Sequence, residues 1–164
     1  MPPPRLPSQS YCKTASLMAF SCKSSALLAG HERESEVTVA AEKFGYHFGL
    51  AFQVIDDLLD FTGTSDTLGK PGLQDMALGL STAPVLYGMD EHPELKTLVA
   101  RKFGEPGDVQ NACELVLDSR GLERTKELAT FHAQAAVDAC CLLPESSARQ
   151  GLIQLCHVVL SRSS

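Results

Sequence analysis

The sequence has no excess of basic charge and no long uninterrupted apolar stretch. Its 14 Lys and Arg residues are outnumbered by 20 Asp and Glu residues, which gives a formal net charge of −6. Because a nucleic-acid binder normally gathers cations on one surface, this balance argues against duplex binding. Polar residues interrupt the apolar runs well before the roughly 20 residues that a membrane-spanning helix needs, so we expect no transmembrane segment.

Cysteine and histidine are present but lack the spacing of metal ligands. The six cysteines include no Cys-x-x-Cys pair, and the five histidines are dispersed along the chain. The adjacent Cys140 and Cys141 have no Cys or His at ligand spacing beside them. We therefore expect reduced thiols and no zinc site.

Alternating strand patterns of useful length are missing as well, which predicts an all-α protein. The proline-rich residues 1–10 are expected to form an extended leader without a legible targeting signal. Residues 11–164 are expected to form one partial helical domain. Apolar periodicity and Gly or Pro punctuation predict helices at about 11–30, 35–61, 74–89, 93–103, 108–119, 122–142 and 145–161.

Three carboxylates, Asp56, Asp57 and Asp60, stand close together near the end of the second predicted helix. Residues four apart share a helix face, so like charges repel there, and no Lys or Arg between Phe44 and Thr67 compensates them. Negative charge at a helix C-terminus also opposes the helix dipole. Aspartate pairs do occur at caps and turns, but the apolar flanks favour a functional role here. A divalent cation would turn the repulsion into attraction.

Two lysines stand where they could contact phosphate, although a lone lysine in such a loop is more often a solvated surface residue and Lys13 with Thr14 is weak evidence by itself. Lys70 follows the aspartates in a Gly-rich loop. This loop is not a P-loop, because five residues separate Gly63 from Gly69 and Pro71 replaces the Ser or Thr that binds magnesium. Lys13 and Thr14 open the first predicted helix, where backbone N–H groups attract anions.

Carboxylates and lysines on an apolar helical scaffold indicate a magnesium and diphosphate site. Mg²⁺ usually takes one or two protein carboxylates and completes its shell with water and substrate phosphates. A diphosphate with an apolar tail is therefore the expected ligand.

The order and spacing of these residues resemble those of all-trans polyprenyl diphosphate synthases, and most closely the long-chain branch with solanesyl and decaprenyl products. The stretches that carry the resemblance are Tyr11-Cys-Lys-Thr-Ala-Ser-Leu-Met18, Phe44-Gly-x-x-x-Gly-Leu-Ala-Phe-Gln-x-x-Asp-Asp-x-x-Asp-Phe61 and Leu68-Gly-Lys-Pro-x-x-x-Asp-x-x-x-Gly-x-x-Thr-Ala-Pro-Val85.

The resemblance implies the C-terminal portion of an isoprenoid-synthase-type helical bundle. It implies that Mg²⁺, held by two aspartate-rich motifs, draws diphosphate from an allylic substrate, and that the carbocation then alkylates isopentenyl diphosphate. By motif, the three aspartates would be the second motif, with Asp56 the most direct ligand. The residues that would contact the allylic diphosphate or its metal shell, with Thr14 assisting, are Lys13, Gln53 and Lys70. It further implies a mitochondrial location and a homo- or hetero-oligomer with a synthase subunit.

One departure from the family pattern is large. The first aspartate-rich motif and the basic residues that bind isopentenyl diphosphate are absent, so we expect a fragment that does not catalyse condensation alone. A chain with part of a bundle missing is also expected to expose apolar surface. A second hypothesis is a non-catalytic helical subunit that stabilises a complete synthase. A third, an acidic helical Ca²⁺-binding protein, is disfavoured because the loop lacks the oxygen spacing of an EF-hand.

Overall fold

The computed structural model describes residues 11–62 and 73–162; the predicted leader, residues 1–10, lies outside them. The described residues form helices and turns with no strand, which confirms the all-α prediction. None of these helices is both long and apolar enough to cross a membrane. A π-helical turn, Tyr11–Ala15, leads into α1, Ser16–Leu28. The helices that follow are α2 Glu36–Thr62, α3 Gln74–Ala77, α4 Ala83–Gly88, α5 Leu95–Ala100, α6 Asp108–Asp118, α7 Gly121–Cys141 and α8 Ser147–Ser161.

The chain divides into two compact units, and α2 and α7 contribute residues to each. One unit contains the described part of Asp56–Glu127, and the other contains the described parts of Leu6–Ile55 and Leu128–Ser164. In the first unit the buried core consists of Met76, Val85, Leu95, Leu98, Phe103, Ala112 and Val116. A buried cluster in the second unit consists of Phe44, Ala136, Ala139, Cys140 and Cys156.

Glycines on α2 allow α1 and the π-helical turn before it to approach closely. A Cβ atom built on Gly49 would lie 2.6 Å from the Cα of Ala15, and one built on Gly45 would lie 2.8 Å from the Cα of Ala19. Such separations do not occur between real side-chain and backbone atoms, so no larger residue fits without a shift of one helix. Lys23 on α1 also pairs with Glu42 on α2 at 2.6 Å. Small residues therefore allow the two helices to pack closely, and the ion pair adds a polar contact between them.

The long predicted helix at 74–89 is broken in the structure into α3 and α4. Gly79 adopts φ +78°, a left-handed conformation that ends α3. The N–H of Leu80 then bonds back to the carbonyl oxygen of Asp75 at 2.8 Å. Pro84 lies in the first turn of α4, where its missing N–H costs nothing. The periodicity of the apolar residues continued across this break, which is why the sequence predicted a single helix.

All six cysteines lie in the described part of the chain and are free thiols, as the sequence predicts. Burial raises the pKa of the Cys156 thiol to about 11, and Cys140 nearby contributes to the rise. The pKa of Cys140 is also raised by burial. Since reactivity needs the thiolate, these buried cysteines are inert at neutral pH.

Candidate functional site

The three aspartates of the predicted metal motif lie in the last two turns of α2. Asp57 is 2% exposed, whereas Asp56 and Asp60 are half-buried. Four-residue spacing places Asp56 and Asp60 on one side of α2, and Asp57 lies about 100° around the helix from Asp56. One carboxylate is therefore turned inward, and two are partly accessible to solvent.

Asp60 also holds the start of α3. Its Oδ1 accepts a hydrogen bond of 3.0 Å from the N–H of Gln74, and its Oδ2 accepts one of 3.2 Å from the N–H of Asp75. Its carbonyl oxygen accepts a third, of 2.9 Å, from the N–H of Leu73. A carboxylate at a helix N-terminus is favoured by the helix dipole. Because two carboxylate oxygens offer about four acceptor positions, these bonds leave Asp60 able to accept a further ligand.

Sequence reasoning did not find this capping role. An N-cap residue normally stands directly before its helix, but Asp60 precedes Gln74 by 14 residues along the chain. No local signal in the sequence links the two positions.

Gln53 is buried one turn before the aspartates, and Thr14 contacts it. The Oγ1 of Thr14 donates a hydrogen bond of 2.7 Å to the Oε1 of Gln53. The residue Gln53 is 4% exposed. With Oε1 as acceptor, the Nε2 group is the part of Gln53 that donates hydrogen bonds. The structure therefore brings together two of the predicted diphosphate-binding residues, Thr14 and Gln53.

The two predicted lysines differ in what the structure describes of them. Lys13 is exposed in the π-helical turn directly before Thr14. Lys70 lies outside the described residues. Within residues 11–62 and 73–162, no three His, Cys, Asp or Glu side chains are grouped so as to hold a metal ion by themselves. The assignment of Asp56, Asp57 and Asp60 as metal ligands stays a prediction.

Two histidines that are far apart in sequence form a pair that sequence reasoning missed. Nδ1 of His47 lies 2.9 Å from Nδ1 of His132, so one ring donates a hydrogen bond to the other. Burial, followed by the charge of Lys43, lowers the pKa of His47. Burial and the neighbouring His47 lower the pKa of His132 to about 4. Both rings are therefore neutral at pH 7.

Comparison with solved structures identifies close structural relatives. The apo form of an Arabidopsis medium/long-chain length prenyl pyrophosphate synthase is 44% identical, with a TM-score of 0.83 over 95% of this chain and 54% of that chain. A polyprenyl synthase from Caulobacter crescentus, complexed with calcium and isoprenyl diphosphate, is 31% identical. Its TM-score is 0.77 over 93% of this chain and 47% of that chain.

Sequence comparison gives the same result. Solanesyl-diphosphate synthase 1, mitochondrial, of Oryza sativa is 46% identical over 94% of this chain and 37% of its own length. The chain spans about a third to a half of the length of the curated relatives it matches. A family model described as Polyprenyl synthetase matches residues 6–116, which is more than half of the chain. This chain therefore belongs to the polyprenyl synthetase family.

Proposed function

We propose that this chain supplies the second aspartate-rich part of the catalytic site of a trans-prenyltransferase. The enzyme would join isopentenyl diphosphate to an allylic diphosphate and so make a long-chain polyprenyl diphosphate. The observation that carries the proposal is the arrangement on α2, where Gln53, Asp56, Asp57 and Asp60 follow one another within two turns. The hydrogen bond from Thr14 to Gln53 supports it.

The donor set on α2 fits Mg²⁺. Its candidate ligands are carboxylate oxygens, and Mg²⁺ needs only one or two of them when phosphate oxygens and water complete the octahedron. Asp56 is half-buried, so its carboxylate is partly shielded from water and still accessible to a ligand. Asp56 and Asp60, which share one side of α2, would offer oxygens to the ion, and α3 already fixes the Asp60 carboxylate in place. The inward-turned Asp57 would add negative charge beside them. Bound there, Mg²⁺ would neutralise charge on the departing diphosphate.

The remaining residues would bind and orient the allylic diphosphate. The Nε2 group of Gln53 would donate to a phosphate oxygen, while Thr14 holds the other end of the amide. Lys13, exposed beside Thr14, would add a positive charge. Lys70 would do the same from the segment that follows the aspartates. Fixed donors aimed at a leaving group are the usual source of electrostatic stabilisation in enzymes.

The relatives support this substrate class. The Caulobacter crescentus protein was solved with calcium and isoprenyl diphosphate, which pairs a divalent cation with a prenyl diphosphate. The Oryza sativa relative is named a solanesyl-diphosphate synthase and mitochondrial. On that basis we propose that this chain takes part in making a long-chain product and that it is mitochondrial.

A chimeric synthase tests the proposal. Residues 11–164 replace the matching part of the Oryza sativa relative, and chain elongation from an allylic diphosphate and isopentenyl diphosphate is measured with Mg²⁺. We expect turnover in the chimera and a loss of roughly 100-fold or more in kcat for Asp56→Asn, since a direct metal ligand is removed. The matched control is Asp118→Asn, an exposed aspartate on α6, which should leave kcat unchanged.

The outcome also separates the two hypotheses on function. Turnover of the Asp56→Asn chimera at the wild-type rate would refute the metal assignment. A folded chimera without turnover, combined with activation of a complete synthase by the 164-residue chain, would favour the non-catalytic subunit instead.

A further inference from the structure

Two histidine rings meet inside an otherwise apolar contact between α2 and α7. Nδ1 of His47 lies 2.9 Å from Nδ1 of His132, and both residues belong to the same compact unit. Phe44 and Ala136, each about one turn from one of the histidines, are members of the buried apolar cluster of that unit. Apolar side chains would fill this contact at a lower desolvation cost, so packing alone does not explain the buried polar pair.

The separation of the two nitrogens is that of neighbouring ligands on one metal ion. Imidazole nitrogens bind transition metals at about 2.0–2.1 Å, so two of them at a right angle around an ion lie about 2.9 Å apart. Right-angled positions are typical of the square-planar or tetragonal shells of Cu²⁺ and Ni²⁺, whereas a tetrahedral shell needs about 3.3 Å. We propose that His47 and His132 form a binding site for such an ion, with water in the remaining positions.

Both rings are in the form that a metal ion requires. Burial lowers the pKa of His47 and of His132, so the rings are neutral at pH 7, and metal ions bind the neutral ring. The hydrogen that one Nδ1 donates would pass through water to Nε2 of the same ring, which leaves the charge of the pair unchanged. In the described part of the chain the buried side-chain N and O atoms without a partner are Thr82 Oγ1 and Arg149 Nε. Each Nε2 therefore has either water or a protein partner.

His47 gives an ion access to the pair. It is half-buried, whereas His132 is 7% exposed. The ring centroids are 5.2 Å apart, so the two Nδ1 atoms face each other, and the His47 ring must turn as an ion binds beside the line that joins them. Lys43, exposed one turn earlier on α2, is the cation whose charge acts on His47. Its charge would oppose a bound cation.

This site differs from the predicted magnesium site in position and in chemistry. His47 precedes Asp56 by nine residues, which is about 13 Å along α2. Mg²⁺ prefers oxygen ligands, whereas imidazole suits Ni²⁺, Cu²⁺ and Zn²⁺. Residues 11–62 and 73–162 contain no group of three His, Cys, Asp or Glu side chains placed to hold an ion, so the protein would supply two ligands. A bound ion would tie α2 to α7, and the proposal does not depend on the proposed catalysis.

Calorimetric titration with Ni²⁺ tests the site, since Ni²⁺ does not oxidise thiols as Cu²⁺ does. The 164-residue chain is produced without a histidine tag and with serine at the exposed Cys12 and Cys141, and Mg²⁺ is present in excess. We expect one Ni²⁺ per chain. His47→Gln and His132→Gln should each weaken binding by roughly 30-fold or more, because one of two protein ligands is lost. Lys43→Gln should strengthen binding by roughly two- to five-fold.

The matched control is His157→Gln, which removes an exposed histidine on α8 and should leave the affinity for Ni²⁺ unchanged. Wild-type affinity in His132→Gln would overturn the proposal. So would Ni²⁺ binding that excess Mg²⁺ abolishes, because the ion would then lie on carboxylates. Absence of binding below about 1 mM Ni²⁺ would overturn it as well.

X-ray absorption of the Ni²⁺ complex provides a measurement that does not require any variant to fold. We expect the scattering pattern of two imidazole rings in the first coordination shell, with oxygen at the other positions. A shell of oxygen alone would overturn the assignment. Diphosphate is absent from both measurements, so failure of the proposed catalysis would not alter the results.

Discussion

Thr14 donates a hydrogen bond of 2.7 Å to Gln53, a side chain 39 residues further along the chain. The bond joins the π-helical turn before α1 to the C-terminal half of α2, and Gln53 is buried. It fixes the amide of Gln53 in one orientation, with Oε1 towards Thr14. The same contact therefore serves the packing of the fold and the orientation of a candidate ligand-binding group.

Replacing Thr14 should show how much this hydrogen bond contributes to the free energy of unfolding. We expect Thr14→Val to lower the free energy of unfolding by about 1–2 kcal/mol, because a buried acceptor loses its donor. Thr14→Ser keeps the hydroxyl and should cost clearly less. Urea unfolding of the three proteins, followed by circular dichroism, measures both effects. Equal stability of the Val and Ser variants would show that the bond contributes nothing.

The close approach of α1 to α2 makes a prediction about glycine. In Gly45→Ala the new methyl group would lie 2.8 Å from the Cα of Ala19, so we expect a net destabilisation of about 1–3 kcal/mol. Gly151 on α8 has no atom within 4 Å of such a methyl group. There Ala should stabilise by about 0.5–1 kcal/mol through its better helix propensity. Unfolding midpoints of the two variants should move in opposite directions.

The capping role of Asp60 can be tested by the effect of its replacement on stability. Its carboxylate caps α3 through the N–H groups of Gln74 and Asp75. We expect Asp60→Ala to cost about 1 kcal/mol, a typical value for a lost cap. Hydrogen exchange of the Gln74 and Asp75 amides should also become faster. Unchanged exchange at both amides would contradict the capping role.

The histidine pair predicts a pH dependence of stability. An unfolded histidine has a pKa near 6.5, whereas the pKa of folded His132 is about 4. Between these values the unfolded chain binds a proton that the folded chain does not, so stability falls as the pH decreases from about 6.5 towards 4. The urea midpoint of the wild type should therefore decrease over this window. His132→Gln should flatten the dependence.

Two further measurements check this assignment. His157→Gln, at an exposed histidine on α8, is the matched control and should keep the wild-type slope. NMR titration should show the His132 ring changing charge well below pH 6. A slope that is the same in wild type and His132→Gln would assign the pH dependence to other groups.

Much of the helical structure was predictable because it depends on local signals. The start predicted at Ser35 agrees with α2, which begins at Glu36. There the N–H of Thr38 donates to the Oγ of Ser35 at 3.3 Å, the pattern of an N-cap. The break between α3 and α4 was missed because apolar periodicity persisted while Gly79 took a left-handed conformation. Periodicity does not report the conformation of a single glycine.

The sequence by itself determined that the chain is all-α, that three aspartates gather near the end of a long helix, and that the chain resembles the polyprenyl synthetase family. Helical periodicity, turn residues and motif spacing are properties of neighbouring residues, so they can be read without a structure. Only the tertiary structure decided that Asp60 caps α3 and that His47 meets His132. These relationships join residues 14 and 85 positions apart, and packing alone settles them.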